Sequence, residues 1–218
     1  MLRDMLSSRR PALLLALLML ASASVASASE GLWARDGAIP KFQDRYGDLS
    51  TWNARGGNAS FHVDNGEAKF RVGDLTVDVS EIYGSSGLTE LNWSNAARGA
   101  FINASEGGVV GEWQSRAFVI RNGQTKEIPV QKLVAQASVL TTDCGSMNLA
   151  SLAWVQQGTR LLVMQTVPGT SACSHMGDTA LYLIDVASER VVEVLHGKLG
   201  LKYEQDLVPT VRSLLRGD

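Results

Sequence analysis

Two stretches of this sequence carry the same pattern of apolar residues, and this repeat limits what the chain can fold into. Residues 88–130 form the first stretch and residues 149–195 the second. Three marker residues return after 61 positions: Leu88, Leu91 and Trp93 become Leu149, Leu152 and Trp154. The apolar run 100–102 returns as 161–163, and Ile120 matches Ile184 after three extra residues. One supersecondary unit is therefore written twice.

Each unit is predicted to contain four short antiparallel strands. Short apolar runs are separated by polar loops, the last two runs of the second unit are nearly continuous, and Asn122-Gly123 has the composition of a two-residue hairpin turn. Pro129 predicts that the fourth strand of the first unit, residues 125–130, lies at a sheet edge. Residues 61–79 alternate between apolar and polar around Asn65-Gly66 and, with Trp52 upstream, form a candidate third unit. The expected fold is all-β, with antiparallel four-stranded sheets, two of them clearly marked in the sequence.

The C-terminal residues 204–216 have the period of a short helix. Five apolar side chains fall on one stripe: Leu207, Val208, Val211, Leu214 and Leu215. Asp206 can cap the start, and Pro209 falls in the first turn, where its missing N–H costs little. We expect this helix to cover an open face or edge of the sheets.

Residues 1–28 have the layout of a secretory signal peptide. Arg3, Arg9 and Arg10 precede an apolar run of about ten residues, and Ala26-Ser27-Ala28 is a cleavage site. The run is too short for a membrane span, which needs about 20 residues. The prediction is an exported protein, periplasmic or extracellular, with a single β-repeat domain over residues 29–218 and no membrane span after cleavage.

The charge of the mature chain argues against a nucleic-acid partner. The whole chain has 20 Lys and Arg and 22 Asp and Glu. The leader holds Arg3, Arg9, Arg10 and Asp4, which leaves 17 basic and 21 acidic residues, a net charge of −4. A mildly acidic surface favours solubility and disfavours binding to polyanions.

Cys144 and Cys173 are the two cysteines of the chain, and in an exported protein they are expected to form a disulfide. The alternative is a Cu(I) site in which thiolates join the thioether and imidazole groups of Met147, His175 and Met176. We expect the disulfide, and no metal or cofactor.

The repeat resembles the blades of TolB-type β-propellers. Trp93-Ser94 precedes a polar turn, a basic residue and the apolar strand 100–102, as in the blade motif of that family. Trp154 with residues 158–163 is similar, and residues 182–186 followed by 190–192 resemble the outer hairpin of a blade. The resemblance implies propeller-like sheets. Closed propellers typically have at least four blades, so two or three units would stack without closing a ring, or close by pairing with another chain.

The segment in which the second unit departs from the repeat is the preferred interaction site. It comprises residues 170–178, with five candidate binding residues: Thr170, Ser174, His175, Met176 and Asp178. Loops that depart from a repeat pattern often face the partner. The loop 106–113 is its counterpart in the first unit, and Trp113 is expected to be its exposed aromatic residue.

The sequence favours a non-enzymatic binding protein whose loops contact a protein or a cell-envelope polymer. This interpretation allows the chain to form oligomers. The alternative is a small secreted hydrolase with an acid–base pair at His62 and Asp64, which share one face of a predicted strand. No serine lies in a nucleophile elbow, so the sequence marks no catalytic residue.

Overall fold

The computed structural model describes residues 31–42, 50–84, 86–105, 107, 112–140, 147–168 and 173–216, which form three antiparallel sheets. The first sheet contains β1 (Lys41–Phe42), β2 (Ser50–Asn53), β3 (Ala59–Asp64), β4 (Glu67–Val72) and β5 (Leu75–Asp78). The second contains β6 (Thr89–Ser94), β7 (Gly99–Ala104), β8 (Gln114–Arg121) and β9 (Gln124–Ile128). The third contains β10 (Asn148–Val155), β11 (Arg160–Thr166), β12 (Thr179–Asp185) and β13 (Arg190–His196). Each sheet keeps the strands in chain order.

The sheets stack face to face, and burial along the strands follows from their place in the stack. All six residues of β7 are buried because the second sheet is covered on both faces. Phe118 packs on Phe70 of the first sheet with ring centroids 5.7 Å apart. On the other face, Phe101 packs on Trp154 of the third sheet at 6.2 Å. Two apolar layers therefore hold the three sheets together, and the predicted all-β fold is confirmed.

The two ends of the stack are closed differently. In β3 and β4 buried residues alternate with exposed or half-exposed ones, so the first sheet turns a polar face to solvent that includes His62, Lys69 and Arg71. The outer face of the third sheet is covered by a 3₁₀ helix (Gly197–Asp206) and by α2 (Pro209–Arg216). The C-terminal helix thus covers an open sheet face, as expected.

The predicted start of that helix is wrong. The α-helical turns begin at Pro209, and the residues up to Asp206 form the separate 3₁₀ helix. Proline disfavours the helical conformation in the residue before it, here Val208, and lacks the N–H that an interior helix position donates. A continuous helix over residues 204–216 is therefore interrupted at Val208, and Pro209 takes the first helical position.

The candidate third unit is present as the first sheet, and one tryptophan marks the same place in all three. In each sheet the second-last residue pair of one hairpin joins a tryptophan to the following strand: Trp52–Phe61 between β2 and β3, Trp93–Ala100 between β6 and β7, and Trp154–Leu161 between β10 and β11. Trp93 and Trp154 both pack toward the preceding sheet. Trp52 packs toward the second sheet, which is the sheet next to its own in the described part of the chain.

The register corrects one detail of the sequence repeat. Phe118 pairs with Ala100 in the second sheet, and Ile184 pairs with Leu161 in the third. Ile184 therefore occupies the place of Phe118 rather than that of Ile120. A slip of two residues keeps every side chain on the same face of a strand, so the apolar pattern cannot detect it.

A helix replaces the end of the predicted fourth strand of the second sheet. β9 is an edge strand, as Pro129 indicated, but it ends at Ile128, and α1 (Val130–Ala137) follows. Val130 and Val134 of this helix are buried in the layer between the second and third sheets. The predicted hairpin turn at Asn122-Gly123 is confirmed, with φ of 50° and 78°.

Candidate functional site

The N-terminal segment, residues 31–42, makes backbone pairs with three separate parts of the chain. Ala34 forms a bridge with Leu207 beside the third sheet, and Ala38 forms one with Leu91 of β6. The segment ends as β1, which pairs with β2. It therefore covers sheet edges that would otherwise offer unpaired backbone groups.

A buried carboxylate fixes this segment. Glu90 is 0% exposed and accepts hydrogen bonds from the backbone N–H groups of Trp33 and Ala34 and from Asn103 Nδ2. A Cβ on Gly31 or Gly37 would overlap its side chain. Burial raises the pKa of the Glu90 carboxyl, and the hydrogen bonds that it accepts partly oppose this shift. The segment is thus wrapped around one side chain of β6.

A cleft of about 410 Å³ lies between β6 and β10, and we call it the inner cleft. One wall is residues 92–95 and the other is residues 152–154. The N-terminal segment contributes Arg35 and Asp36, and the C-terminal 3₁₀ helix contributes Asp206. Its volume lies within the range of small-molecule sites. The cleft brings two repeat tryptophans, Trp93 and Trp154, together with three charged side chains.

The inner cleft has an excess of negative charge. Asp36 and Asp206 stand against one guanidinium, that of Arg35, which donates a hydrogen bond to the backbone carbonyl of Gln205. Partial burial raises the pKa of Asp206, the nearby Arg35 lowers it, and the like charge of Asp36 raises it again. The three charges therefore interact, and a cation in the cleft would relieve the repulsion between the carboxylates.

Two buried polar atoms of the cleft residues lack a hydrogen-bond partner among the described residues. Asn92 is 7% exposed, and its Nδ2 donates to the carbonyl of Asp36 at 3.1 Å, while its Oδ1 is unpaired. Trp154 Nε1 is the second such atom. Buried polar groups are normally hydrogen-bonded, so these two unpaired atoms are exceptions, and both are buried away from the open space of the cleft.

The predicted interaction loop is described only from Cys173 onward, and Thr170 lies outside the described residues. Ser174, His175, Met176 and Asp178 are exposed, with Met176 at 53%. The turn is ordered by its own hydrogen bonds: His175 Nδ1 lies 3.2 Å from Asp178 Oδ2, and the Asp178 N–H donates to the His175 carbonyl. This 173–178 turn is a small exposed surface and lines no described cleft.

Trp113 is buried, so its predicted exposure is wrong. The residue is 9% exposed, and its ring meets Trp33 edge-on with centroids 5.6 Å apart. Its backbone N–H donates to Asn148 Oδ1, and its carbonyl accepts from the Leu149 N–H. The neighbouring glycines suggested an exposed loop, but these contacts place Trp113 at the junction of the second and third sheets.

His62 and Asp64 lie on the polar outer face of the first sheet, as the alternation predicted. His62 is paired with Lys69 across the strands, and Asp64 with Glu67. No hydrogen bond joins His62 to Asp64 in the described part of the chain. Ser60 lies on the same face, and its hydroxyl accepts a hydrogen bond from Arg71 Nε at 3.2 Å.

The described residues contain no group of three or more His, Cys, Asp or Glu side chains suited to a metal ion. Cys144 lies outside the described residues, so the disulfide with Cys173 stays a prediction. The leader, residues 1–28, lies outside them as well. Within the described ranges, no helix has the length and hydrophobicity that a membrane crossing requires.

Comparison of the chain with protein-family models, with curated proteins and with solved structures gives no significant match. The site must therefore be interpreted from its own chemistry. Sequence reasoning missed the inner cleft because Arg35 and Asp36 lie in a segment without periodicity, and Asp206 lies 170 positions after Asp36. The glycines at positions 31 and 37 were the available signal, since they mark a backbone that approaches another group closely.

Proposed function

We propose that this chain is an exported, non-enzymatic binding protein that holds its partner in the inner cleft. The observation that carries the proposal is the convergence of Trp93 and Trp154 with Arg35, Asp36 and Asp206 in one cleft. Aromatic anchors beside a few charged groups are the usual composition of binding sites. The rigid stack of sheets supplies a pre-organised wall on each side.

The position of the cleft supports a relationship with TolB-type β-propellers. In a propeller, the blades are arranged around a central channel. The inner cleft lies between the first strands of two successive sheets, each marked by its tryptophan. We infer that the three sheets are blades of this kind and that the cleft corresponds to part of the channel-lining surface. Export rests on the predicted leader.

The hydrolase alternative has weaker support. Glu90 is buried and has a raised pKa, but its side chain is 0% exposed. It accepts hydrogen bonds from two backbone N–H groups, so a substrate cannot reach its carboxyl. His62 and Asp64 stand on an open sheet face. An assay with generic esterase, glycosidase and phosphatase substrates tests this alternative, because activity that is lost in His62→Ala would favour an enzyme.

Site-specific photo-crosslinking tests where a partner binds. A benzoylphenylalanine is placed at Asn95 in the inner cleft, at Met176 in the 173–178 turn, or at Thr76 on the outer face of the first sheet. Each protein is irradiated with an envelope extract of the native host. We expect a crosslinked product from position 95 and none from position 76. Adding Asp36→Asn and Asp206→Asn should reduce the product at position 95.

The 173–178 turn is the second candidate contact, because Met176 exposes an apolar side chain on an ordered turn. A product from position 176 without one from position 95 would move the binding site to this turn. Replacing the loop 170–178 with a short Gly-Ser turn should then abolish capture and leave folding intact. A count of free thiols in the unreduced protein tests the copper alternative, which zero free thiols would exclude.

A further inference from the structure

We propose that the inner cleft receives an extended peptide segment of a partner protein, which adds as a strand to the free edge of β6 at Trp93. This inference rests on the proposed function and names the chemical class of the ligand. Strand addition draws affinity from main-chain hydrogen bonds and specificity from alternate side chains.

The backbone N–H and C=O groups along β6 point alternately toward β7 and toward the free edge of the sheet. The Ala38 N–H donates to the Leu91 carbonyl at 2.7 Å, and the Leu91 N–H donates back at 2.9 Å. Leu91 therefore directs both groups away from β7. Directions alternate along an antiparallel strand, so Trp93, two residues on, directs its N–H and C=O to the same free side.

The N-terminal segment leaves this edge before it reaches Trp93. A continued ladder would place Asp36 opposite Trp93, but the chain turns at this point, with the Gly37 N–H bonded to the Ala34 carbonyl. Ala38–Leu91 is the single bridge between the segment and β6 among the described residues. Trp93 borders the inner cleft, so its edge groups face space that a strand could enter.

Apolar and acidic side chains surround this edge. A peptide strand alternates its side chains, and the cleft offers a different surface to each set. Indole rings and Leu152 suit apolar side chains. Asp36 and Asp206 suit a lysine or arginine, which would offset the excess negative charge of the cleft.

The experiment begins with a phage-displayed library of random heptapeptides selected against the full mature protein. A variant with the cleft filled, Ala153→Arg, serves for counter-selection after its circular dichroism has been matched to that of the wild type. We expect peptides enriched in lysine or arginine between apolar residues. The best peptide is then synthesised, and its Kd is measured by fluorescence anisotropy.

Backbone methylation of that peptide separates strand addition from other binding modes. Each amide is N-methylated in turn. We expect affinity to fall about tenfold or more at alternate positions, the factor that corresponds to one hydrogen bond, and to change little at the positions between. If the loss of affinity shows no alternation and depends instead on which side chain the methylated residue carries, strand addition is wrong.

Matched variants of the protein locate the peptide. Asp36→Asn combined with Asp206→Asn should weaken the basic peptide about tenfold, while Asp64→Asn on the outer sheet face should not. Trp93→Phe should weaken it, while Trp52→Phe, the equivalent change in the first sheet, should not. If no peptide is enriched over the filled variant, the inference fails. Retention by isolated peptidoglycan sacculi that depends on Asp36 and Asp206 would keep the cleft as the binding site and replace the peptide with a glycan.

Discussion

The side chain of Asn103 pairs with the backbone of Ser151 in both directions. Nδ2 donates to the Ser151 carbonyl at 2.8 Å, and the Ser151 N–H donates to Oδ1 at 2.8 Å. Ser151 lies beside a register shift in β10, and Asn103 is 0% exposed in β7. The amide of Asn103 thus acts as a peptide group that completes the pairing of an irregular strand across two sheets.

Replacing Asn103 should therefore loosen the junction of the second and third sheets. Asn103→Ala leaves the N–H and C=O of Ser151 and one oxygen of Glu90 without this partner. We expect the free energy of unfolding to fall by about 2–4 kcal/mol, since unpaired buried polar groups are costly. Urea denaturation measures this, with Asn53→Ala on the exposed end of β2 as the control. A loss below about 0.5 kcal/mol would show that Ser151 finds other partners.

Glu90 should give the protein a characteristic pH dependence. Because burial raises the pKa of this carboxyl, its contribution to stability is fully present below the ordinary pKa of about 4.5 and is lost as pH rises through the raised pKa. Glu90→Gln cannot ionise and therefore lacks this pH-dependent contribution to stability. We expect the unfolding free energy of the wild type, taken relative to Glu90→Gln, to fall as the pH rises above about 4.5. A relative stability that stays constant or rises with pH contradicts the assigned shift.

Gly37 should tolerate no side chain. A Cβ at this position would overlap Glu90, and the N-terminal segment would have to leave the carboxylate. Gly37→Ala should lower the unfolding free energy by more than about 2 kcal/mol and expose residues 31–37 to trypsin at Arg35. Gly66→Ala is the comparison, because its Cβ meets open space and its cost comes only from a positive φ, about 1 kcal/mol. Equal effects of the two substitutions would mean that Gly37 is not closely packed.

The protein should be a monomer. One end of the stack is a polar sheet face, and the other is covered by the C-terminal helices, so neither end of the described stack offers a large apolar face to a second copy. Light scattering after size exclusion should give a single mass over a wide range of concentration. Changing His62, Lys69 and Arg71 to leucine should make the outer face self-associate. A wild-type dimer would instead support closure between two chains.

Local sequence patterns predicted most of the fold. The four strands predicted for each unit are present in the second and third sheets, because apolar runs and turn residues are local signals. The 3₁₀ helix and α1 were missed, since neither is longer than ten residues and a helical period is recognised over a window of about 11 residues or more. The candidate site was predicted least well: the sequence favoured the 170–178 loop and Trp113, whereas the structure places Trp113 inside and forms a cleft elsewhere.

The sequence by itself determined that the chain repeats a four-stranded sheet, that each sheet carries a tryptophan, and that a helix follows the last one. These features depend on side-chain alternation and backbone preference, which neighbouring residues specify. Only the tertiary structure decided that Glu90 binds the backbone of the N-terminal segment. It also decided that Arg35, Asp36 and Asp206 lie together beside β6 and β10. Such contacts join residues far apart in the chain, and the free energy of burying and pairing them depends on how the sheets stack.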